Sequence, residues 1–168
     1  MSKPKVSCFH YKRYNDIYVS NVSFSTDTLL AILDILPSQN VFVLIESDAS
    51  CTQALLSIGK GTGIIRAVPH FDAARFFAIC DKTGLHYLLS KANINEFDGM
   101  FMAGINNDII LDELICSFDQ AANSMVKDGI SNISISISFP ENEMVISLPN
   151  EKYEAMSIKD KIHSIFRG

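Results

Sequence analysis

The chain has 168 residues, of which 48% are hydrophobic and 20% charged, enough apolar material for a packed core and too little charge for intrinsic disorder. Fourteen Lys and Arg against 19 Asp and Glu leave a formal net charge of -5, which argues against a general nucleic-acid binder. No apolar run approaches the roughly 20 residues a bilayer span needs, and polar residues from His10 to Asp16 interrupt any signal-peptide core, so the expected address is the cytosol, with no membrane partner.

Residues 6–10 and 17–24 each alternate apolar and polar side chains, and Lys12-Arg13-Tyr14-Asn15-Asp16 between them carries turn chemistry. A hairpin is therefore expected within 1–24. Ser25 or Thr26 can cap a helix running to about Leu36, with Leu29, Leu30, Ile32, Leu33 and Leu36 largely on one face and Pro37 as its stop. Val41-Phe42-Val43-Leu44-Ile45 is an unbroken apolar run, the mark of a strand covered on both faces.

Further strands are expected at 55–58 and 64–68 around the glycine-rich turn Gly59-Lys60-Gly61-Thr62-Gly63, and at 75–80 and 85–89 around Asp81-Lys82-Thr83-Gly84. Another is expected at 100–103. Leu111, Leu114, Ile115, Phe118, Ala121, Ala122, Met125 and Val126 follow helical spacing, and Gly129 suits the cap of that helix. Residues 131–139 alternate Ile or Phe with Ser, which predicts a strand with one buried face. Residues 143–148 are expected as its hairpin partner. A last helix near 151–166 buries Ile158, Ile162, Ile165 and Phe166. The expected fold class is α+β: a mostly antiparallel β-sheet with two or three helices packed on it. The length suits a single domain over 1–168, closed by the strand and helix within 143–166.

Chemical motifs are sparse. In Gly59-Lys60-Gly61-Thr62-Gly63 the lysine follows the first glycine, so the G-x-x-x-x-G-K-[ST] phosphate loop is not matched. Cys8, Cys51, Cys80 and Cys116 form no C-x-x-C pair and are expected to be reduced and buried. His10, His70, His86 and His163 form no H-E-x-x-H, and Cys8-Phe9-His10 would supply half a metal site at most. No metal and no cofactor is expected. A Ser or Cys nucleophile paired with a distant histidine stays open, since such groups assemble in space, though no G-x-S-x-G elbow is present.

Charge is unevenly spread. Residues 41–150 hold 6 Lys and Arg against 13 Asp and Glu, whereas the two ends each carry one excess positive charge. Glu46, Asp48, Asp72, Asp81, Glu96 and Asp98 fall at expected strand ends and loops. They form either a solvated rim or a surface complementary to a basic partner. The serine face of 131–139 is likewise either solvated or, at a sheet edge, free to pair with a partner strand.

The order of segments from Thr26 to Phe139 resembles the immunity proteins of bacterial polymorphic toxin and contact-dependent growth-inhibition systems. The resemblance rests on the Leu29-Leu30-Ala31-Ile32-Leu33 helix, the strand at 41–46 and the stretch from Ala54 to Ile64. It continues with 76–81, the lead-in Ile109-Ile110-Leu111, the helix ending at Asp128-Gly129 and the strand after it. It implies a cytosolic inhibitor, not an enzyme, that binds one cognate toxin domain, one to one. That domain is expected to be a nuclease or other nucleic-acid-modifying enzyme whose active site or substrate channel becomes masked. An acidic surface built from the six carboxylates would suit a toxin surface shaped to meet phosphate. Two alternatives stand beside it: a small enzyme with an unrecognised pocket, and an acidic secretion chaperone, which would be a stable homodimer.

Overall fold

Asn40–Ser47 (β3) takes hydrogen bonds from two neighbours, and every residue from Val41 to Ile45 is buried. A computed structural model describes residues 3–36, 40–62, 66–69, 74–105, 133–149 and 152–167. Around β3 lie seven further strands: Lys5–His10 (β1), Tyr14–Ser20 (β2), Arg66–Pro69 (β4), Arg75–Asp81 (β5), Phe97–Ile105 (β6), Ser134–Ser138 (β7) and Glu143–Pro149 (β8). They form one sheet in the order β1-β2-β8-β7-β6-β3-β5-β4, and every neighbouring pair is antiparallel. The described helices are Thr26–Leu33 (α1), Ala49–Thr62 (α2), Lys82–Lys91 (α3) and Lys152–Phe166 (α4). The fold is α+β as expected, with four described helices rather than two or three.

Strand pleating sorts the side chains by face. Val41, Val43 and Ile45 of β3 join Met100 and Met102 of β6, Ile135 and Ile137 of β7, and Ile146 and Leu148 of β8 in one continuous core. All four helices close this side, through Leu29, Ile32 and Leu33 of α1, Leu55 of α2, Leu85, Leu88 and Leu89 of α3, and Ile158 and Ile162 of α4. Among the buried polar residues is Asn15, whose Oδ1 accepts from His10 Nδ1 at 2.8 Å while its Nδ2 has no hydrogen-bond partner among the described residues. On the opposite face β3 turns Phe42 towards Phe77 of β5 and Phe101 of β6, with ring centroids 6.3 and 6.1 Å apart. All three rings are buried.

The first hairpin, the Ser25-capped helix and the pairing of β7 with β8 stand where the sequence places them. The cap of α1 is reciprocal: Ser25 Oγ accepts from the Thr28 backbone N–H at 3.2 Å, and Thr28 Oγ1 accepts from the Ser25 N–H at 2.7 Å. Of two further expected hairpins, one strand each is present, as β4 and β5, and the other is a helix. Residues 55–58 and the glycines Gly59 and Gly61 lie inside α2. Asp48 starts it by accepting the Cys51 N–H at 2.8 Å, and Cys51, Leu55, Leu56 and Ile58 fall on its inner side. Each glycine costs a helix interior about 1 kcal/mol relative to alanine, which burial of that stripe offsets. Residues 85–89 lie inside α3, because Asp81 accepts the Gly84 N–H at 2.6 Å and caps a helix rather than opening a turn.

The serine-rich strand β7 lies between β8 and β6 with both edges paired, so it cannot accept a partner strand. The helix expected over 111–128, the start of the strand at 131–132, Pro37 and Ile64 lie outside the described residues.

Replacing Phe42 by alanine is expected to cost about 3–5 kcal/mol, since a buried ring between two others leaves a cavity. Urea unfolding measures the loss. Cys80 supplies a second check. Burial, reinforced by the charge of Asp81, pushes its thiol from 9.0 up to about 12. The unfolded chain therefore loses this proton first, and stability falls by up to about 1.4 kcal/mol per pH unit over that interval. Cys80→Val should flatten that alkaline slope.

Candidate functional site

The strand registers carry one row of side chains across the sheet near its end. Lys5 pairs with Ser20, Ser20 with Glu143, Glu143 with Ser138, Ser138 with Gly99, Gly99 with Glu46, and Glu46 with Arg75. Just beyond this row the chain exits β3 through Asp48 and enters β6 from the 3-10 turn Ile94–Glu96 and Asp98. The β7–β8 turn, Phe139 to Asn142, closes the same end: its Phe139 N–H donates to the Asp98 carbonyl at 3.1 Å.

Four of the six carboxylates singled out from the sequence, Glu46, Asp48, Glu96 and Asp98, are thus gathered at one end of the sheet. Glu141 and Glu143 join them. Asp81 pairs with Asn40 at the opposite end, and Asp72 lies outside the described residues. The sequence analysis missed Glu141 and Glu143. Their signal was Pro140-Glu141-Asn142-Glu143, turn chemistry between two alternating strands. Asn142 adopts φ 55° there, a left-handed conformation that asparagine tolerates better than most residues.

These acids do different work. Asp48 and Asp81 are helix caps, each accepting a backbone N–H. Glu46 faces Arg75 at 3.7 Å, a pair too exposed to add much stability. Glu143 bonds the Tyr18 hydroxyl, and that bond, with some burial and the nearby charge of Glu141, raises the Tyr18 pKa. Asp98, Glu96 and Glu141 are exposed.

Between the β2–α1 connection, the 3-10 turn and the β7–β8 turn lies a notch of about 340 Å3. Phe24, Phe97 and Phe139 wall it, and Asn95, Asp98 and Asn142 supply polar atoms. The rings meet edge to face: Phe139 stands 5.4 Å from Phe24 and 5.7 Å from Phe97, centroid to centroid. Aromatic faces beside a carboxylate suit a guanidinium or ammonium group, which both attract.

The thiol near this end, Cys51, is not activated. Desolvation raises the Cys51 pKa and the neighbouring Glu96 and Asp48 add to it, against a lowering bond from Ser47. A nucleophilic cysteine needs the reverse shift. Among the described residues no group of three or more His, Cys, Asp or Glu is arranged to hold a metal ion, and no helix is long and apolar enough to cross a membrane. No protein-family model matches the chain, and no curated protein is significantly similar to it.

Two carboxylates at this end should separate cleanly by their work. Asp48→Ala removes a cap and is expected to cost about 1 kcal/mol. Asp98→Ala should change stability by less than about 0.5 kcal/mol. Urea titration of both variants provides the comparison.

Proposed function

We propose that the protein is a cytosolic immunity protein that neutralises a cognate secreted toxin domain by masking its active site or substrate channel. The observation that supports this most is the gathering of Glu46, Asp48, Glu96, Asp98, Glu141 and Glu143 at one end of the sheet, beside an aromatic-walled notch. A toxin that acts on nucleic acid must present arginine and lysine to phosphate. The same side chains would meet this acidic end, and one of them would seat among Phe24, Phe97 and Phe139.

Binding without turnover fits the chemistry of the site. Its carboxylates are exposed, serve as a cap (Asp48) or are paired (Glu46 with Arg75, Glu143 with Tyr18), and the nearby Cys51 thiol is held in its neutral form. A rigid sheet end presents charge at little conformational cost, which favours fast encounter with a partner of opposite sign.

On this proposal the gene immediately upstream is expected to encode a large secreted protein with a variable C-terminal domain, and co-expression with that domain tests it directly. Growth should be restored, and the two folded chains should elute as a one-to-one complex. Failure to protect from, or bind, a secreted toxin encoded there would overturn it. The contact itself is tested by Glu96→Lys, Asp98→Lys and Glu141→Lys, which spare both caps and the Tyr18 bond. Their melting temperatures should stay near that of the parent, while the association rate falls and the loss shrinks above about 0.15 M salt. Unchanged association kinetics in all three would remove the acidic end from the interface.

A further inference from the structure

Strand β1 ends the sheet and pairs only with β2 among the described residues. One row of its backbone N–H and C=O groups therefore faces away from the sheet. Proteins usually blunt such an edge with proline, inward charge or a bulge. Here the only proline nearby is Pro4, just before the strand, and Lys5 is the only Lys or Arg within it. The pairing with β2 runs in unbroken register. On one side of this edge Phe9 is 50% exposed. On the other, β1 and α4 frame a groove of about 550 Å3 with Val6, Ile162 and Phe166 as its apolar lining.

Cations predominate around the edge, with Asp16 across from Phe9 on β2. Residues 3–15 hold four Lys and Arg and no carboxylate. Lys3, His163 and Arg167 line the groove, and α4 carries Lys152, Lys159 and Lys161 against Glu154 and Asp160. This decides between two occupants. A second copy pairing about a two-fold axis would set Lys3 and Lys5 of one chain against His10, Lys12 and Arg13 of the other, and like charges placed opposite are destabilising. An acidic strand meets no such penalty.

We propose that the outer edge of β1 docks an extended acidic segment of a protein partner. The segment adds a further antiparallel or parallel strand to the sheet, with alternate apolar side chains in the groove against α4 and its carboxylates towards Lys3, Lys5 and Arg167. Main-chain hydrogen bonds hold it and the alternation gives it a register. Lys5 stands at the β1 end of the row that carries Glu143 and Glu46, but the outer edge of β1 faces away from them, and the proposal does not depend on the function proposed above.

The test uses a fluorescent peptide of four Val-Glu repeats, followed by anisotropy with the full chain. Saturable binding below about 1 mM is expected, weakening as salt rises from about 0.05 to about 0.3 M. The Lys5→Glu, Arg167→Glu double variant, with its melting temperature checked, should bind at least about tenfold more weakly, a change near 1.4 kcal/mol. The same peptide N-methylated at every residue should not bind, since neither of its edges can then donate to the ladder. A Val-Lys peptide should also fail. The proposal is overturned by no saturable binding, by equal binding of the N-methylated peptide, or by sedimentation showing a dimer that excludes the peptide.

Discussion

The double burial of β3 is the constraint on which the rest of the structure depends. Five consecutive apolar residues, Val41 to Ile45, have no polar side on which to meet water. The strand must therefore be flanked by partners on both edges and covered on both faces. β5 and β6 supply the edges, the helices cover Val41, Val43 and Ile45, and the Phe42–Phe77–Phe101 group occupies the other side. Where the apolar run stops, at Glu46, the chain leaves the sheet, the β3–β6 register shifts, and Asp48 starts α2.

The acidic end follows from that arrangement. Antiparallel pairing brings the exit of β3 beside the entry of β6, so residues 46–48 and 96–98 meet although about fifty residues separate them. β7 and β8 extend the same line and contribute their turn. Polar residues collect where strands end because backbone groups leaving the ladder need solvent or caps. Asp48 meets that need as a cap, Glu46 faces Arg75 and Glu143 bonds Tyr18. Asp98, Glu96 and Glu141 remain exposed, and these are the charges open to a partner.

The molecule is thus polarised. Carboxylates gather at one end of the sheet, while lysines and arginines line its β1 edge and α4. Aromatic rings run between the two regions: Phe139 contacts Phe24, and Phe24 contacts Phe166 at 6.3 Å. Both regions sit on secondary structure or on the turns that join it, and the Cys51 and Cys80 thiols are shifted up, away from the nucleophilic form.

Local patterns along the chain were enough to predict the α+β class, the two-sided burial of β3, the opening hairpin, the Ser25 cap and the pairing of β7 with β8. Each rests on a local signal: an unbroken apolar run, an alternation, a capping side chain. Leu85 and Leu89 satisfy both a two-residue and a 3.6-residue period, and Asp81 with Gly84 can open a turn or cap a helix. Only the packing of Leu85, Leu88 and Leu89 into the core decided for α3. The same holds for α2, where Gly59 and Gly61 signal a turn locally and the buried stripe of Cys51, Leu55 and Ile58 outweighs them. The acidic residues were legible as a set but their grouping was not. Whether Glu46 meets Asp98, whether Asp81 is sent to the far end, and which strand is left at the edge are matters of strand order. Strand order is set by contacts between segments distant in the chain, and no local pattern encodes it.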